Sequence, residues 1–265
     1  MRVRLHRSFR GVPKTLHVRR QGRRWTATIQ CAGVPTQPLS PTNRPAGFDL
    51  GVAHLAASSD GEFFENPRHL ARGREALTNA QRCLARKQRG SKRRKHAVAR
   101  VAAQHRRIAN RRRDGLHRLS RRLVDSYDLL VFEDLKIANM VRSARGTLEE
   151  PGSQVAQKAG LNREILAASW GGLISMVAYK APEAPLKAPD NADAGREVIV
   201  VNPKGTSQRC SSCGHTEAAS RPSQAVFCCR GCGFKDHADV NAARNILWLG
   251  LSLRRQKREA EAGAA

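Results

Sequence analysis

Cys210-Ser-Ser-Cys213, then Cys229-Arg-Gly-Cys232 and, seven residues later, Asp239-Val-Asn-Ala-Ala-Arg-Asn-Ile-Leu247 form the stretch that decides the fold. Each Cys-x-x-Cys pair can form a tight turn that presents two thiolates, and two such turns supply the four ligands of a tetrahedral structural Zn²⁺. The sequence therefore predicts one zinc held by these four cysteines. The zinc ribbon directly precedes a helix that opens with an acidic residue.

Three cysteines remain outside these pairs: Cys31, Cys83 and Cys228. An odd total with metal-type spacing favours a reducing compartment and zinc over a disulfide scaffold. Cys228 is an alternative ligand, but it would leave a three-residue gap before Cys232. Because Cys229 makes the usual two-residue gap, we expect Cys228 to stay free.

The net charge points to a polyanionic partner. The 265 residues include 48 Lys and Arg against 22 Asp and Glu, a formal net charge of +26, with 40% hydrophobic residues. This is the composition of a globular protein, and such a charge favours nucleic acid as its partner. The sequence has neither the apolar core of a signal peptide nor a run of about 18 apolar residues. We therefore expect a soluble cytoplasmic protein, associated with the nucleoid and not with a membrane.

The first 48 residues contain no Asp or Glu. Within them, Thr15–Arg19 and Trp25–Cys31 alternate apolar and polar residues, which predicts half-buried strands joined by a turn at Gln21-Gly22. This is a small basic β unit. The proline-rich stretch from Pro35 to Pro45 predicts a linker.

A mostly apolar run follows, from Ala46 to Ser58, and Glu62-Phe-Phe-Glu65 comes after it. Together they predict a buried strand and its hairpin partner. Asp49 interrupts the run, and a carboxylate in a central strand is costly unless it meets a cation. The alternative is a strand-end Asp that caps a turn around Gly51. This residue alone leaves both alternatives open.

The segment Pro67–Val124 is helical in its apolar spacing and intensely basic. Arg89–Lys95 interrupts the pattern, which predicts two helices in a hairpin. Between Arg86 and Arg122 there are sixteen Lys and Arg and one acid, Asp114. This density suits contacts with phosphates, although a solvated helical face is the alternative. The residues expected to bind nucleic acid are Arg93, Arg94, Lys95, Arg106, Arg107, Arg111, Arg112 and Arg113.

Ser126–Leu135 predicts another strand, apolar from Leu129 to Phe132 and ending at Glu133. Side chains alternate along a strand, so Glu133 and Asp134 point to opposite faces. Only one of these two acids can therefore share a site with Asp49.

The rest of the chain gives weaker signals. We expect a flexible connection over Asn139–Gly160, a helix over Leu161–Tyr179, an exposed loop over Pro182–Gly195, a strand over Glu197–Val201, and a helix over Asp239–Leu249 with a frayed tail from Arg254.

Three acids thus occupy special places: Asp49 within a strand, Glu133 at the end of a strand and Asp239 at the start of a helix. Carboxylates persist in a fold interior when they share hard cations. Two Mg²⁺ ions about 4 Å apart can activate water and stabilise the leaving oxygen of a phosphodiester. Taken alone, Asp239 also fits helix-dipole complementation, worth about 0.3–1 kcal/mol.

Together these residues resemble the TnpB/OrfB transposase-associated family and, by extension, the type V CRISPR effector nucleases that share its RuvC-like, RNase H-fold active site. The matching segments occur in the family's order and cover roughly residues 15 to 250. They are Gly47–Ala53, Arg111–Ser120, Val131–Leu135, Thr206–Gly214, Phe227–Gly233 and Asp239–Ala243.

The resemblance implies a metal-dependent DNA endonuclease, guided by an RNA from a transposon end. It also implies that Asp49, Glu133 and Asp239 are catalytic carboxylates that bind two Mg²⁺ ions. Asp236 is a rival to Asp239, but the family motif places its acid two residues before Asn241. Family members usually carry a longer N-terminal portion, so the part before the first acid resembles only the end of a wedge-like barrel. We therefore expect this chain alone to cut weakly and with poor target selectivity.

The predicted fold is α/β: an RNase H-like (RuvC) domain with an inserted basic helical hairpin and an inserted zinc ribbon, preceded by a small β remnant. The predicted divisions are 1–44 (basic β-hairpin and linker), 45–66 (RuvC-like part I), 67–123 (basic helical insertion), 124–203 (part II), 204–234 (zinc ribbon), 235–250 (part III) and 251–265 (tail).

Two other functions remain alternatives. A truncated, non-catalytic zinc-ribbon remnant would bind DNA or RNA without cutting it. A ribosome- or RNA-associated zinc-ribbon protein would explain the charge and the zinc but not the acids placed on strands.

Overall fold

A computed structural model describes residues 8–21, 24–34, 39–181 and 196–263. The first elements are β1 (Val12–Gln21) and β2 (Arg24–Ala32), which pair as an antiparallel hairpin and confirm that prediction. The prediction that these strands are half-buried is wrong, because nearly all their described side chains are exposed. Gly22 of the predicted turn and residues 35–38 of the predicted linker lie outside the described residues.

A mixed sheet of five strands forms the centre of the fold. Its strands are β3 (Pro45–Asp49), β4 (His54–Ser58), β5 (Phe63–Glu65), β6 (Leu129–Glu133) and β7 (Glu197–Val201). The order across the sheet is β5-β4-β3-β6-β7; β3, β4 and β5 are antiparallel neighbours, whereas β6 and β7 run parallel to β3. The predictions of β6 and β7 are confirmed. The expectation of one strand between Ala46 and Ser58 is wrong, because the chain reverses between β3 and β4 and the run supplies two strands.

The basic segment forms the predicted helical hairpin, with α1 (His69–Ala85) and α2 (Lys92–Ser126). The interruption is shorter than Arg89–Lys95. Ser91 caps α2 by accepting a hydrogen bond from the Arg94 backbone N–H, so the second half of the expected interruption is already helical. A serine in this position satisfies an otherwise unpaired N–H of the first turn.

The remaining helices are α3 (Ile137–Met140), α4 (Val155–Ala168), α5 (Trp170–Lys180) and α6 (Ala238–Ala262). The single helix expected over Leu161–Tyr179 is therefore two helices, broken at Ser169, whose φ is +59°. The expected connection Asn139–Gly160 is partly helical. The tail beyond Arg254 continues α6, because its Ala, Glu, Lys and Arg residues are strong helix formers. The loop expected over Pro182–Gly195 lies outside the described residues.

Helices cover both faces of the sheet. On one face, α2, α4 and α5 pack on an apolar cluster that includes Phe48, Leu130 and Phe132. On the other face, α6 packs on a smaller cluster that includes Leu129 and Val131. The strand β6 therefore alternates between the two layers.

Glycines allow α6 to lie directly on the sheet. A Cβ added at Gly47 of β3 would lie 2.2 Å from the carbonyl oxygen of Ala243 in α6. A Cβ added at Gly250 of α6 would lie 2.5 Å from a methyl carbon of Val131. Both approaches are closer than any side chain tolerates, so this crossing requires glycine on each element.

Between β7 and α6 lies the predicted zinc-ribbon segment, residues 204–234. Its short strand β8 (Val226–Cys228) pairs antiparallel with β9 (Lys235–His237), which begins directly after the segment. The fold is thus mixed α/β, as predicted. None of the helices in the described residues combines the length and apolarity that crossing a membrane requires.

Candidate active site

The carboxyl ends of two neighbouring parallel strands bring Asp49 and Glu133 close together. Phe48 of β3 lies opposite Phe132 of β6, and Asp49 and Glu133 are the next residues along each strand. The two phenylalanine rings stack with centroids 5.1 Å apart in the core. Because side chains alternate along a strand, both acids point to the opposite face, toward α6. Asp49 ends its strand and does not lie in the middle of it.

The third predicted acid, Asp239, lies in the first turn of α6. Its backbone N–H donates to Nδ1 of His237, the N-cap residue, at 3.2 Å. A carboxylate in the first turn also complements the positive end of the helix dipole. Since α6 crosses the sheet on the face where the two strand-end acids point, all three carboxylates lie on one side of the sheet.

The electrostatics of the three acids are coupled. Burial, and after it the negative charges of Glu133 and Asp239, raises the pKa of Asp49 from 3.8 to about 7. The cation Arg221 acts in the opposite direction. Burial also raises the pKa of Glu133, against a hydrogen bond from Thr206 and the charge of Arg221. This arrangement keeps carboxylates together without enough fixed positive charge to neutralise them, which is typical of functional sites.

The two alternative acids, Asp134 and Asp236, form ion pairs with basic side chains. Asp134 is exposed and forms an ion pair with Lys136 at 2.5 Å. Asp236 pairs with Arg244, also at 2.5 Å. Glu133 and Asp239, and not these two neighbours, are among the largest contributions to the raised pKa of Asp49. The geometry therefore favours the predicted acids over their neighbours in sequence.

The donor set fits a hard divalent cation. Carboxylate oxygens are the ligands that Mg²⁺ prefers in proteins, and a bound cation would relieve the repulsion that raises the pKa of Asp49. The oxygens of the three acids are not as tightly gathered as the zinc-type cysteines: among the described residues, only the cysteine group has all its ligand atoms within 4.8 Å of one another.

The four predicted cysteines form that compact group. Cys210 Sγ and Cys232 Sγ are 3.8 Å apart, and Cys213 Sγ and Cys229 Sγ are 3.7 Å apart. A tetrahedron with Zn–S bonds of about 2.3 Å has edges of about 3.8 Å, so the geometry fits one zinc ion. The N–H of Cys232 donates to the Cys229 sulfur and lowers the pKa of that thiol, whereas hydrogen bonds with the neighbouring thiols raise the pKa of Cys232. Cys228 does not belong to the group, as predicted.

Two residues of the zinc-ribbon segment reach the acids, and sequence reasoning did not find them. Thr206 Oγ1 donates to Glu133 Oε1 at 2.5 Å. Arg221 Nη2 lies 3.2 Å from Asp239 Oδ1. Thr206 stands in a segment quoted for the family resemblance, but its hydroxyl gave no sign of a partner 73 positions away. Arg221 had no sequence signal beyond its charge.

The residues predicted to bind nucleic acid all lie on α2. Five of them are exposed: Arg93, Lys95, Arg107, Arg111 and Arg113. The other three make internal contacts: Arg94 donates to the carbonyls of Leu84 and Lys87, Arg112 to that of Leu166, and Arg106 to that of Ala102.

A basic cleft of about 930 Å³ separates α2 from the β1–β2 hairpin. Arg106 and Arg113 line it from the helix, and Arg19 and Arg24 line it from the hairpin. None of the described residues that line the cleft is acidic. Its surface therefore suits a chain of phosphates.

Comparison with known protein families finds two models that each match part of the chain. Residues 28–144 match the OrfB family of IS605, described as "Probable transposase", and residues 170–246 match the family described as "Cas12f1-like, TNB domain". Together the two matches include the segments that carry the predicted resemblance, so the similarity to this family is confirmed.

Two relatives carry names that describe DNA endonucleases. InsQ of Escherichia coli K12, named as a candidate RNA-guided DNA endonuclease, is 38% identical over 94% of this chain and 60% of its own length. The CRISPR-associated endodeoxyribonuclease Cas12f1 of Sulfoacidibacillus thermotolerans is 30% identical over 84% of this chain and 50% of its own length. The chain thus spans between half and three fifths of these two relatives.

A solved structure shares the fold. Cas12f1 in its complex with sgRNA and target DNA superposes with a TM-score of 0.50 and 18% sequence identity, over 87% of this chain and 55% of that one. At this identity the likeness concerns the fold alone. The mixed α/β architecture is therefore shared with that protein.

Proposed function

We propose that the chain forms the nuclease core of an RNA-guided DNA endonuclease, with Asp49, Glu133 and Asp239 as its catalytic carboxylates. The observation that carries the proposal is the convergence of these acids on one side of the sheet, where their mutual repulsion and burial raise the pKa of Asp49 to about 7. A basic surface on α2 accompanies the site. Converging acids in a chain that also carries a phosphate-binding surface suit metal-dependent phosphodiester hydrolysis.

The sheet topology supports an RNase H-like, RuvC-type domain. Three antiparallel strands are followed by two parallel ones, with helices on both faces and the acids at the carboxyl ends of the two central strands. In this proposal the nuclease domain comprises residues 45–66, 124–203 and 235–250. The helical hairpin (67–123) and the zinc ribbon (204–234) are insertions, residues 1–44 form a small β unit that precedes the domain, and 251–265 form a tail.

Each residue of the proposed site has a role that follows from its place. Asp49 and Asp239 would flank two Mg²⁺ ions, and Glu133 would hold them from the second strand. When bound, the metal supplies activation of the attacking water and stabilisation of the departing 3′ oxygen. Arg221 reduces the repulsion among the acids. The exposed arginines of α2 hold the phosphate backbone.

DNA as substrate and a guide RNA from a transposon end as partner are part of the same proposal. They are supported by the family match and by the names of relatives, which describe RNA-guided and DNA-cutting enzymes. The zinc is proposed as structural, since all four positions around it are cysteines and none is open.

A second candidate function is binding of DNA or RNA without cleavage. The basic cleft and the exposed arginines of α2 favour it, because they bind nucleic acid whether or not the acids act. The candidate leaves the coupled carboxylates unexplained. The same objection applies to a ribosome-associated zinc-ribbon protein.

The RNA that copurifies with the chain separates these functions. The chain would be expressed with its own genomic flanks, its bound RNA sequenced, and the complex incubated with plasmids carrying a matching or a scrambled target in Mg²⁺. We expect a defined RNA from the transposon end and slow cleavage of the matching plasmid, with little discrimination against the scrambled target. A defined RNA without cleavage would support the binding function, and bulk ribosomal RNA would support the ribosome-associated one.

A further inference from the structure

The hydroxyl of Thr206 is buried against Glu133. Thr206 is 4% exposed and Glu133 is 7% exposed, and the hydrogen bond between them is 2.5 Å long. The same hydroxyl lies 3.0 Å from the Pro203 carbonyl oxygen. A hydroxyl donates one proton, and an ionised carboxylate is the stronger acceptor. The bond therefore fixes one oxygen of Glu133.

Two buried asparagines of α6 hold the backbone that carries this hydroxyl. Asn245 Nδ2 donates to the Thr206 carbonyl at 2.9 Å and to the Arg209 carbonyl at 2.6 Å. Asn241 Nδ2 donates to the Arg209 carbonyl at 2.8 Å, and its Oδ1 accepts from the Ser211 N–H at 2.9 Å. Ser211 lies inside the first cysteine pair. A continuous set of hydrogen bonds thus joins the zinc-binding turn to Glu133.

The same helix also carries Asp239. Because α6 holds both Asp239 and the two asparagines, it fixes one carboxylate directly and another through Thr206. The asparagines are 0% and 1% exposed, so their amides have no water to replace a lost partner. A buried polar network of this kind is rigid when every member is satisfied.

We propose that Thr206 is a positioning residue for Glu133, and that the zinc ribbon, through Thr206 and the two asparagines, sets the orientation of this metal-binding carboxylate. The inference rests on the proposed function, because it assigns Glu133 to a metal site. A residue that orients a metal ligand typically changes metal affinity or activity by about 10- to 100-fold when it is removed. The ribbon then has a role in the chemistry besides its own folding.

Two substitutions at one position provide the test. Thr206→Val replaces the hydroxyl with a methyl group at nearly constant shape, whereas Thr206→Ser keeps the hydroxyl. Mn²⁺ binding to the full chain would be titrated by electron paramagnetic resonance without nucleic acid, and zinc content and cleavage rate measured beside it. We expect Thr206→Val to weaken Mn²⁺ binding and slow cleavage by about 10- to 100-fold. Thr206→Ser should stay near the wild type, and both variants should keep one zinc.

The outcomes distinguish the inference from the proposed function. Unchanged Mn²⁺ affinity in Thr206→Val would overturn the positioning role and leave the proposed function standing. Loss of zinc together with Mn²⁺ binding would also overturn the positioning role, because it would show that Thr206 is needed for the folding of the ribbon. A wild type whose Mn²⁺ binding does not depend on Asp49, as checked with Asp49→Asn, would overturn the proposed function as well. If Thr206→Val does not fold, Asn245→Ala carries the test: zinc retained with weakened Mn²⁺ binding supports the inference, and unchanged Mn²⁺ binding overturns it.

Discussion

At the scale of single residues, Asp49 shows how position changes chemistry. A strand-end aspartate on an ordinary surface is ionised at neutral pH, but burial and two neighbouring carboxylates raise the pKa of this one to about 7. A carboxyl group in this state binds a proton or a metal cation rather than standing alone as an anion. The residue type is common, and its neighbours make it a candidate ligand.

The raised pKa of Asp49 predicts that the metal-free wild type loses stability as the pH rises. Because the pKa of Asp49 is higher in the folded state than its value of 3.8 in the unfolded state, protonation of this carboxyl favours folding. This contribution to the free energy of unfolding is fully present below about pH 4 and is lost as the pH rises through about 7. The free energy of unfolding of the wild type in EDTA should therefore fall relative to Asp49→Asn between pH 4 and pH 8. The difference should be on the order of 2–4 kcal/mol.

Urea denaturation at several pH values measures this difference. Asp134→Asn is the matched control, since that acid is exposed and paired with Lys136. Parallel pH curves for the wild type and Asp49→Asn would show that the environment of Asp49 is not the one described. Adding Mg²⁺ should raise the free energy of unfolding of the wild type more than that of Asp49→Asn.

The sequence predicted the three candidate acids but not Thr206 and Arg221, which contact two of them. Asp49, Glu133 and Asp239 were predicted from a strand pattern, a helix start and a family motif. The alternation of side chains along a strand predicted only that Glu133 and Asp134 lie on opposite faces of the sheet. The packing of α6 on one of these faces favours Glu133 as the acid that shares a site with Asp49. Thr206 and Arg221 depend on how a separate segment packs against the sheet, and no local pattern contains that information.

At the scale of elements, the segment between β7 and α6 combines the compact cysteine group with contacts to the acids of the central sheet. Its own apolar cluster is small, comprising Phe227, Ala238 and two of the cysteines. Such a segment depends on its metal for folding. The cysteine positions were fully predictable because ligand spacing is local, and the contacts with the core were not.

Metal analysis tests the zinc site. We expect about one zinc per chain, since four thiolates complete one tetrahedral site. Cys213→Ser should lose the zinc and the order of the ribbon, whereas Cys228→Ser should keep both because Cys228 stands outside the ligand group. Freshly purified protein without zinc, or equal zinc in both variants, would contradict the assignment.

The helix α2 presents its charge on an exposed face. Neutralising Arg107, Arg111 and Arg113 together should weaken binding to DNA or RNA across all sequences, because contacts with phosphates carry no sequence information. The slope of log affinity against log salt should become shallower by up to about 3. Fluorescence anisotropy at several salt concentrations measures this slope.

Arg94→Gln is the control for this experiment. The Arg94 guanidinium donates to two carbonyls at the end of α1 and in the turn that follows, so its loss should destabilise the tip of the helical hairpin. The salt slope should stay nearly unchanged. A loss of affinity confined to one DNA sequence in the triple variant would show that these arginines read bases.

At the scale of the whole molecule, the sequence predicted the kinds of element better than their ends. The basic helical hairpin and the strands β6 and β7 followed from composition and apolar spacing. The break at Ser169 and the reversal between β3 and β4 could not be predicted in this way, because the sequence of a long apolar run does not indicate where one element ends and the next begins. The strand order is also beyond local patterns, since β3 pairs with β6 across more than 80 residues of sequence.

The site therefore depends on long-range pairing. Parallel alignment of β3 with β6 places two acids side by side, and the close crossing at Gly47 and Gly250 brings the start of α6 to them. Taken alone, each acid can be explained by its local structure, as the end of a strand or the first turn of a helix. Only the folded protein brings the three acids to the same side of the sheet. This is why the family motifs were more informative about function than any single residue.

Cleavage by individual carboxylate variants tests the central claim most directly. The complex with its RNA would be given a labelled matching DNA in Mg²⁺, with DNA affinity measured separately in Ca²⁺, which binds carboxylates but positions water loosely. Asp49→Asn, Glu133→Gln and Asp239→Asn should each lose cleavage by at least about 100-fold with DNA affinity nearly unchanged. The controls Asp134→Asn and Asp236→Asn should cut like the wild type. Wild-type cleavage by any of the three site variants, or equal loss in the two controls, would contradict the account.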